Sequence, residues 1–183
     1  MSPHRTFTEN RIKIRPYRED DLKKLYEAAK ESVEEVYPWL PWCHPAYSKE
    51  DSEAWIDHAT QSWEDKTEFN FAIFAEDESR LLGGVGLNQI DQPHKVANLG
   101  YWVRSSATGQ SIATTASLMT ARFAFEELEF NRIEIVMSVD NVASQQVAEK
   151  IGATKEARLR NRLELHDELH DAFLYALLPE DMI

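Results

Sequence analysis

Cysteine is almost missing from this chain: Cys43 is the one thiol among 183 residues. A single thiol cannot build an intrachain disulfide framework. It fits a reducing compartment, so a cytoplasmic protein is expected. Glycine is sparse, six residues in all, and no Pro/Gly/Ser-rich linker, low-complexity tract or internal repeat divides the sequence. No apolar run approaches the ~20 residues that a membrane-crossing helix needs. The segment Met1–Pro16 lacks the hydrophobic core of a secretion signal. Positive charge is also short: 20 Lys and Arg face 32 Asp and Glu, for a net charge of −12. That balance argues against nucleic-acid backbone as the main partner, since such affinity rests on Lys and Arg clusters. It is compatible with a cationic substrate such as an amine, although many acidic proteins are simply soluble.

What is present suits one soluble domain. Apolar residues make up 43% and charged residues 28% of the chain, and the length allows a sizeable core in a single domain over 1–183. His166-Asp167-Glu168-Leu169 spells an ER-retention signal, but such signals are read only at a C-terminus.

Periodicity outlines the elements. Arg11–Arg15 alternates with period two, as a short half-buried strand does. Leu22, Leu25, Tyr26, Ala29, Val33 and Val36 fall at helical spacing, which predicts one amphipathic helix over Asp20–Val36, ended by Pro38 and Pro41. Ser48 with Asp51 three residues on opens a second helix through a capping box. Phe69–Ala75, Leu81–Ile90 and Ala97–Arg104 read as strands. A broad apolar helix, Ile112–Leu128, follows, then a strand, Ile133–Val139, and a short helix stopping at Gly152. Arg158–Leu165 and Leu169–Leu178 form a closing hairpin. The order predicts an α+β domain with about six or seven mostly antiparallel strands, in which the Ile112–Leu128 helix joins two parallel neighbours.

Several motifs have ordinary explanations. Gly83-Gly84-Val85-Gly86 lacks the third spaced glycine and following helix of a dinucleotide fingerprint, and reads as a bulge or close approach within a strand. His166 and His170 stand four apart in a hairpin turn rather than a helix, and nothing supplies a third ligand, so no metal site is expected. Tyr37-Pro38-Trp39-Leu40-Pro41-Trp42 is either a loop packed on the core or an apolar substrate wall. Thr108-Gly109-Gln110-Ser111-Ile112-Ala113 carries the most weight. A strand running through small residues into a helix start exposes unpaired N–H groups, where anionic phosphates bind.

In this order and spacing the sequence resembles the GNAT acetyltransferase superfamily, and within it the RimJ/RimL-type N-acetyltransferases. The carrying segments are Arg11–Pro16, Trp39–Trp42, Gly100–Val103, Thr108–Ala113, Phe125–Leu128, Asn131–Ile133, Asn141–Ser144 and Ala148–Gly152, which together span essentially the whole chain. The resemblance implies a GNAT fold splayed at its two parallel central strands, with acetyl-CoA as co-substrate. The pyrophosphate would lie on the Thr108–Ala113 turn, and the pantetheine arm beside Trp102, Val103 and Arg104. A main-chain amide near Trp102 or Val103 would hold the thioester carbonyl. Asn141 matches a pantetheine contact, and Ser144 matches the serine that protonates the leaving thiolate. Much of the superfamily uses a tyrosine there, at the position of Ala148.

Three departures accompany the match. Thr108 replaces the usual Arg or Gln, Ser111 stands where a second glycine is usual, and Asn98 and Leu163 occupy the positions where relatives carry a glutamate base. Glu164 is adjacent to Leu163 but faces the other way on a strand. The function expected is acetyl transfer to a primary amine, foremost a protein or peptide N-terminal α-amine held by Tyr37, Trp39 and Trp42. A small-molecule amine acceptor and a non-catalytic acyl-CoA-binding protein are the alternatives. A homodimer is compatible with the sequence.

Overall fold

A computed structural model describes residues 5–182; Met1–His4 of the N-terminal segment, and Ile183, lie outside it. The described strands are β1 (Phe7–Glu9), β2 (Ile12–Pro16), β3 (Phe69–Ala75), β4 (Leu81–Asp91), β5 (Val96–Val103), β6 (Arg132–Ser138), β7 (Thr154–Leu165) and β8 (Glu168–Leu177). They form one sheet in the order β1-β2-β3-β4-β5-β6-β8-β7. Every neighbouring pair is antiparallel except β5 and β6. The helices are α1 (Leu22–Glu31), α2 (Val33–Val36), α3 (Lys49–Asp65), α4 (Ile112–Glu126) and α5 (Val142–Lys150). The strands total eight among the described residues, against the six or seven expected. One difference is β1, whose three residues are too short to show a period.

Local chemistry sets the boundaries. Ser48 Oγ accepts the Asp51 N–H at 3.3 Å and Asp51 Oδ2 accepts the Ser48 N–H at 2.8 Å, so the capping box at the start of α3 is closed in both directions. The single helix expected over Asp20–Val36 is divided. A 3₁₀ turn covers Glu19–Asp21, and the chain breaks between α1 and α2 at Ser32. The Ser32 hydroxyl donates back to Ala28 O at 2.6 Å and accepts the N–H of Ser105 at 3.0 Å. A buried serine bonded across the fold outweighs the helical period there.

The α4 face of the sheet holds the main core. Trp63, Phe69, Phe71 and Phe123 interlock with ring centroids 4.9–5.8 Å apart. A second cluster, Tyr17, Leu25, Ile56, Ala72, Phe74 and Leu81, seats α1 and α3. The alternation of Arg11–Arg15 suggests a solvated arginine at 15, yet Arg15 is buried. It makes a bidentate pair with Asp21 at 2.7 Å per bond and stacks over Phe74 at 4.3 Å. The planar guanidinium can satisfy both partners at once.

Two features of the sheet shape the site. At Gly83 a Cβ would collide with the Trp102 carbonyl, and at Gly84 with the Trp102 indole, so these glycines allow β4 and Trp102 to approach closely. Meanwhile β5 and β6 pair only at Val96–Asn98 with Arg132–Glu134. Beyond Asn98 the two strands diverge, and Leu99–Val103 face a gap.

Candidate active site

The gap between β5 and β6 opens into a cleft of about 760 Å³. Its floor is the end of β5 and the β6 segment Ile135–Ser138, and its far wall is α5. Val36, Pro38, Trp39 and Leu40 close one side and Leu163 and Leu165 of β7 contribute another. Trp102, Val103, Thr108, Gly109, Ser111, Ile112, Ala113, Asn141, Ser144 and Trp39, all singled out from the sequence, line this one space.

The remaining candidates lie outside the lining. Gln110 is exposed at the crown of the turn. Arg104 turns away to Glu31, with Nε 2.7 Å from Oε2. Tyr37 packs on His166, rings 4.3 Å apart, and its carbonyl lies 3.0 Å from His166 Nε2. That contact ties the α2–α3 loop to the β7–β8 turn. Trp42 stands edge-on to Trp102 with centroids 5.4 Å apart, so it buttresses a lining residue.

The start of α4 is built to receive an anion. Its first backbone bond runs from the Thr115 N–H to Ser111 O at 2.9 Å, and the side chain of Ser111, the N-cap residue, makes no capping bond. Among the described residues, the N–H groups of Ile112, Ala113 and Thr114 have no acceptor. Orphan donors at the positive end of a 15-residue helix favour negative charge. Gly109 and Ser111 both have positive φ, 75° and 59°. Only Ser111 carries a side chain in that left-handed conformation, which explains why glycine suits the position.

Hydrogen bonding along β5 decides which amides face the gap. The Arg104 N–H is spent on Leu82 O at 2.8 Å, in register with the ladder Trp102↔Gly84 and Gly100↔Gly86. Antiparallel bonding alternates, so the N–H groups of Tyr101 and Val103 turn away from β4 and toward the gap. Of the two amides suggested by the sequence, Val103 is the one so directed.

The α5 wall is set by Asn141. Its Oδ1 accepts the Ser144 N–H at 3.1 Å and caps the helix. Ser144 is therefore not the cap, and its hydroxyl is free for other partners. Tyr101 Oη lies 3.0 Å from Ser144 Oγ and 3.0 Å from Ser144 O. Burial pushes the Tyr101 phenol up to about 12, opposed by its bond to Ser144.

Neither expected base position holds an acid. Leu163 lines the cleft, whereas Asn98 donates from Nδ2 to Asn88 Oδ1 at 2.9 Å. Glu164 is exposed, pairs with Leu169 across the hairpin and stays out of the lining. Glu34, Glu35 and Lys150 are the charged lining residues among those described. Sequence reasoning missed them and the role of Tyr101. Alternation along β5 puts Leu99, Tyr101 and Val103 on one face, which was readable; the meeting of Tyr101 with Ser144, 43 residues on, was not.

No group of three or more His, Cys, Asp or Glu among the described residues could hold a metal ion. No described helix is long and apolar enough to cross a membrane.

A splayed parallel pair with an uncapped helix at its mouth is the architecture of an acyltransferase of the GNAT type. The family pattern described as "Acetyltransferase (GNAT) domain" matches residues 11–154, and the chain belongs to that family. It is an N-acetyltransferase. It is 29% identical over 90% of its length to the ribosomal-protein-serine acetyltransferase of Escherichia coli, covering 91% of that protein. YjcK of Bacillus subtilis, a probable N-acetyltransferase, is 31% identical over 74% of this chain and 75% of its own. In fold the chain is similar to RimL, a ribosomal L7/L12 alpha-N-protein acetyltransferase solved with coenzyme A. That likeness has a TM-score of 0.83 at 23% identity, over 93% of this chain and 95% of the other.

Proposed function

We propose that the protein transfers acetyl from acetyl-CoA to an N-terminal α-amine of a protein or peptide. The observation that carries the reading is the cleft itself. One continuous space joins the free N–H groups of α4, the outward amides of β5 and the Ser144 hydroxyl, and it contains no acidic base at position 98 or 163.

Ile112, Ala113 and Thr114 would hold the pyrophosphate through backbone N–H groups, with Gly109 leaving the approach open. Acetyl-CoA supplies an activated acyl group. The Val103 N–H would donate to the thioester oxygen as it gains charge. Ser144 would give its proton to the departing sulfur, while Asn141 holds the first turn of α5 in place. Trp39, Leu40 and Leu163 would shield the reacting centre from water, with Trp42 and Tyr37 supporting that wall.

The acceptor class follows from proton chemistry. Only a neutral amine attacks a thioester. An α-amine has a reference pKa of ~7.7–8.0 and a lysine ~10.4, a difference of roughly 3.4 kcal/mol. Positions 98 and 163 hold asparagine and leucine, and the acids that do line the cleft, Glu34 and Glu35, sit on the α2 side, where Glu35 accepts from Ser105 Oγ, so the more readily deprotonated amine is favoured. The Escherichia coli relative carries a name consistent with such an acceptor. A cytoplasmic setting agrees with a single buried free cysteine.

Matched peptides test the reading. One has a free N-terminus and no lysine; the other is N-terminally blocked with one lysine. Faster acetylation of the first is expected. Faster turnover of the blocked lysine peptide, or of free small amines over both, would overturn it.

A further inference from the structure

Ser144 has a partner that its assigned role does not use. Tyr101 reaches from β5 across the mouth of the splay, and its Oη lies 3.0 Å from Ser144 Oγ. The ring packs against the main core and also lines the cleft. At the α5 position where the superfamily places a tyrosine stands Ala148, fully buried. A phenol therefore does reach this helix turn, from a different strand.

We propose that Tyr101 is a positioning residue and proton relay for Ser144 in acetyl transfer; this rests on the acyl-transfer reading above. A phenol has one proton to donate and two acceptors here, Ser144 Oγ and Ser144 O. The main-chain oxygen already takes the helical N–H four residues on with one of its two lone pairs; in the relay the phenol proton is directed to Oγ, at the same 3.0 Å. Donation to Oγ frees the serine proton for the cleft and makes the serine hydroxyl a better acid.

The proton balance closes. Ser144 gives its Oγ proton to the thioester sulfur as the C–S bond breaks and the electron pair stays on sulfur. Tyr101 refills Oγ with its own proton. The surplus proton of the attacking amine, carried by water, restores Tyr101. The net change is one proton moved from amine to thiol. Burial of Tyr101 keeps the phenol protonated at neutral pH, so the proton is present to be relayed.

Tyr101→Phe keeps the ring and removes the hydroxyl. We expect kcat to fall at least tenfold, short of the ~10²–10⁴ of complete general-acid loss, with an unchanged KM for acetyl-CoA. Tyr101→Phe/Ser144→Ala should be no slower than Ser144→Ala alone, because both act through one proton path. A second readout needs no turnover. In protein labelled with ¹³Cζ-tyrosine, the Tyr101 resonance, identified by its loss in Tyr101→Phe, should shift when coenzyme A binds. It should stay still in Ser144→Ala. Wild-type kcat in Tyr101→Phe, multiplicative losses in the double variant, or the same shift in Ser144→Ala would each overturn the relay. A wild type that binds coenzyme A but acetylates no amine would instead overturn the acyl-transfer reading, and the relay with it.

Discussion

Glu31 holds Arg104 and the turn beyond it: its Oε2 accepts from Arg104 Nε at 2.7 Å and its Oε1 accepts the Ser106 N–H at 3.0 Å. The next residue, Ser32, takes the Ser105 N–H, and Ser105 Oγ donates to Glu35 at 2.5 Å. The end of α1 thus fixes the 3₁₀ turn Ser105–Ala107, which leads straight into Thr108–Ala113. The same stretch of chain continues into the Val36–Leu40 side of the cleft.

This ion pair should make stability depend on acid pH. The Arg104 bond holds the Glu31 carboxyl down to about 2. A lowered folded-state value means that the stabilisation is fully present above the ordinary carboxylate range and is lost as pH falls from about 4.5 toward 2. Glu31 is 32% exposed, so solvent screening reduces the effect to about 1 kcal/mol. Urea titrations should find Glu31→Gln less stable than wild type by that amount at pH 7, with the difference closing below pH 3. A constant difference across pH would show that packing, not charge, is responsible.

The phosphate turn gives a paired prediction. Ser111 occupies left-handed space at φ 59°, a conformation that costs a side-chain-bearing residue about 1 kcal/mol relative to glycine. Ser111→Gly should therefore raise the unfolding free energy by about 0.5–1 kcal/mol and leave acetyl-CoA binding intact or stronger. At Gly109, φ 75°, a Cβ would meet nothing within 4 Å. Gly109→Ala should then cost only backbone strain, whereas Gly109→Asp adds a like charge beside the phosphates. Acetyl-CoA at 100 times its Kd adds ~2.7 kcal/mol to a protein that binds it. The resulting rise in melting temperature should survive in Gly109→Ala and vanish in Gly109→Asp.

Capping and catalysis separate cleanly on α5. Asn141 makes the cap bond to Ser144 N, so Asn141→Ala should cost ~1 kcal/mol of stability. Ser144→Ala leaves that bond in place. Its melting temperature should stay near wild type while kcat drops by ~10²–10⁴. A stability loss in Ser144→Ala with normal kcat would reverse the assignment.

Much of the fold was legible because the strongest local signals agreed with the tertiary structure. Phe69–Ala75 was read to the residue, and the Ser48–Asp51 box marked the start of α3. The hairpin strand expected from Arg158 begins at Thr154, since exposed Thr154, Lys155 and Glu156 carry no apolar period. The break at Ser32 and the burial of Arg15 escaped notice because their causes are partners far off in the fold: Ser105 for one, Glu78 and Phe74 for the other. The site divides along the same line. Backbone-defined parts, such as the turn at Thr108–Ala113, show in the sequence as small residues between a strand and a helix. Side-chain meetings such as Tyr101 with Ser144, or Arg104 turned to Glu31, leave no local trace.

Leu163 offers the sharpest test of why the acceptor should be an α-amine. It lines the cleft on β7 while its neighbour Glu164 points elsewhere. Trp39, Leu40 and Leu165 line the same cleft, so a carboxylate placed at 163 would be poorly solvated and its pKa would rise. A carboxyl titrating closer to neutrality is a better general base. Leu163→Glu should therefore supply the deprotonation that a lysine acceptor needs, and raise kcat/KM for the N-terminally blocked lysine peptide by about tenfold or more. The free N-terminal peptide, already partly neutral near pH 7.5, should gain far less. Burying the new acid should also cost stability at pH 7, visible as a lower melting temperature that recovers as the carboxyl is protonated on acidification. If lysine turnover stays at the wild-type level while that pH-dependent loss is present, the carboxylate is in the cleft but out of reach of the amine. The acceptor preference would then have to come from the Val36–Leu40 wall rather than from the missing base.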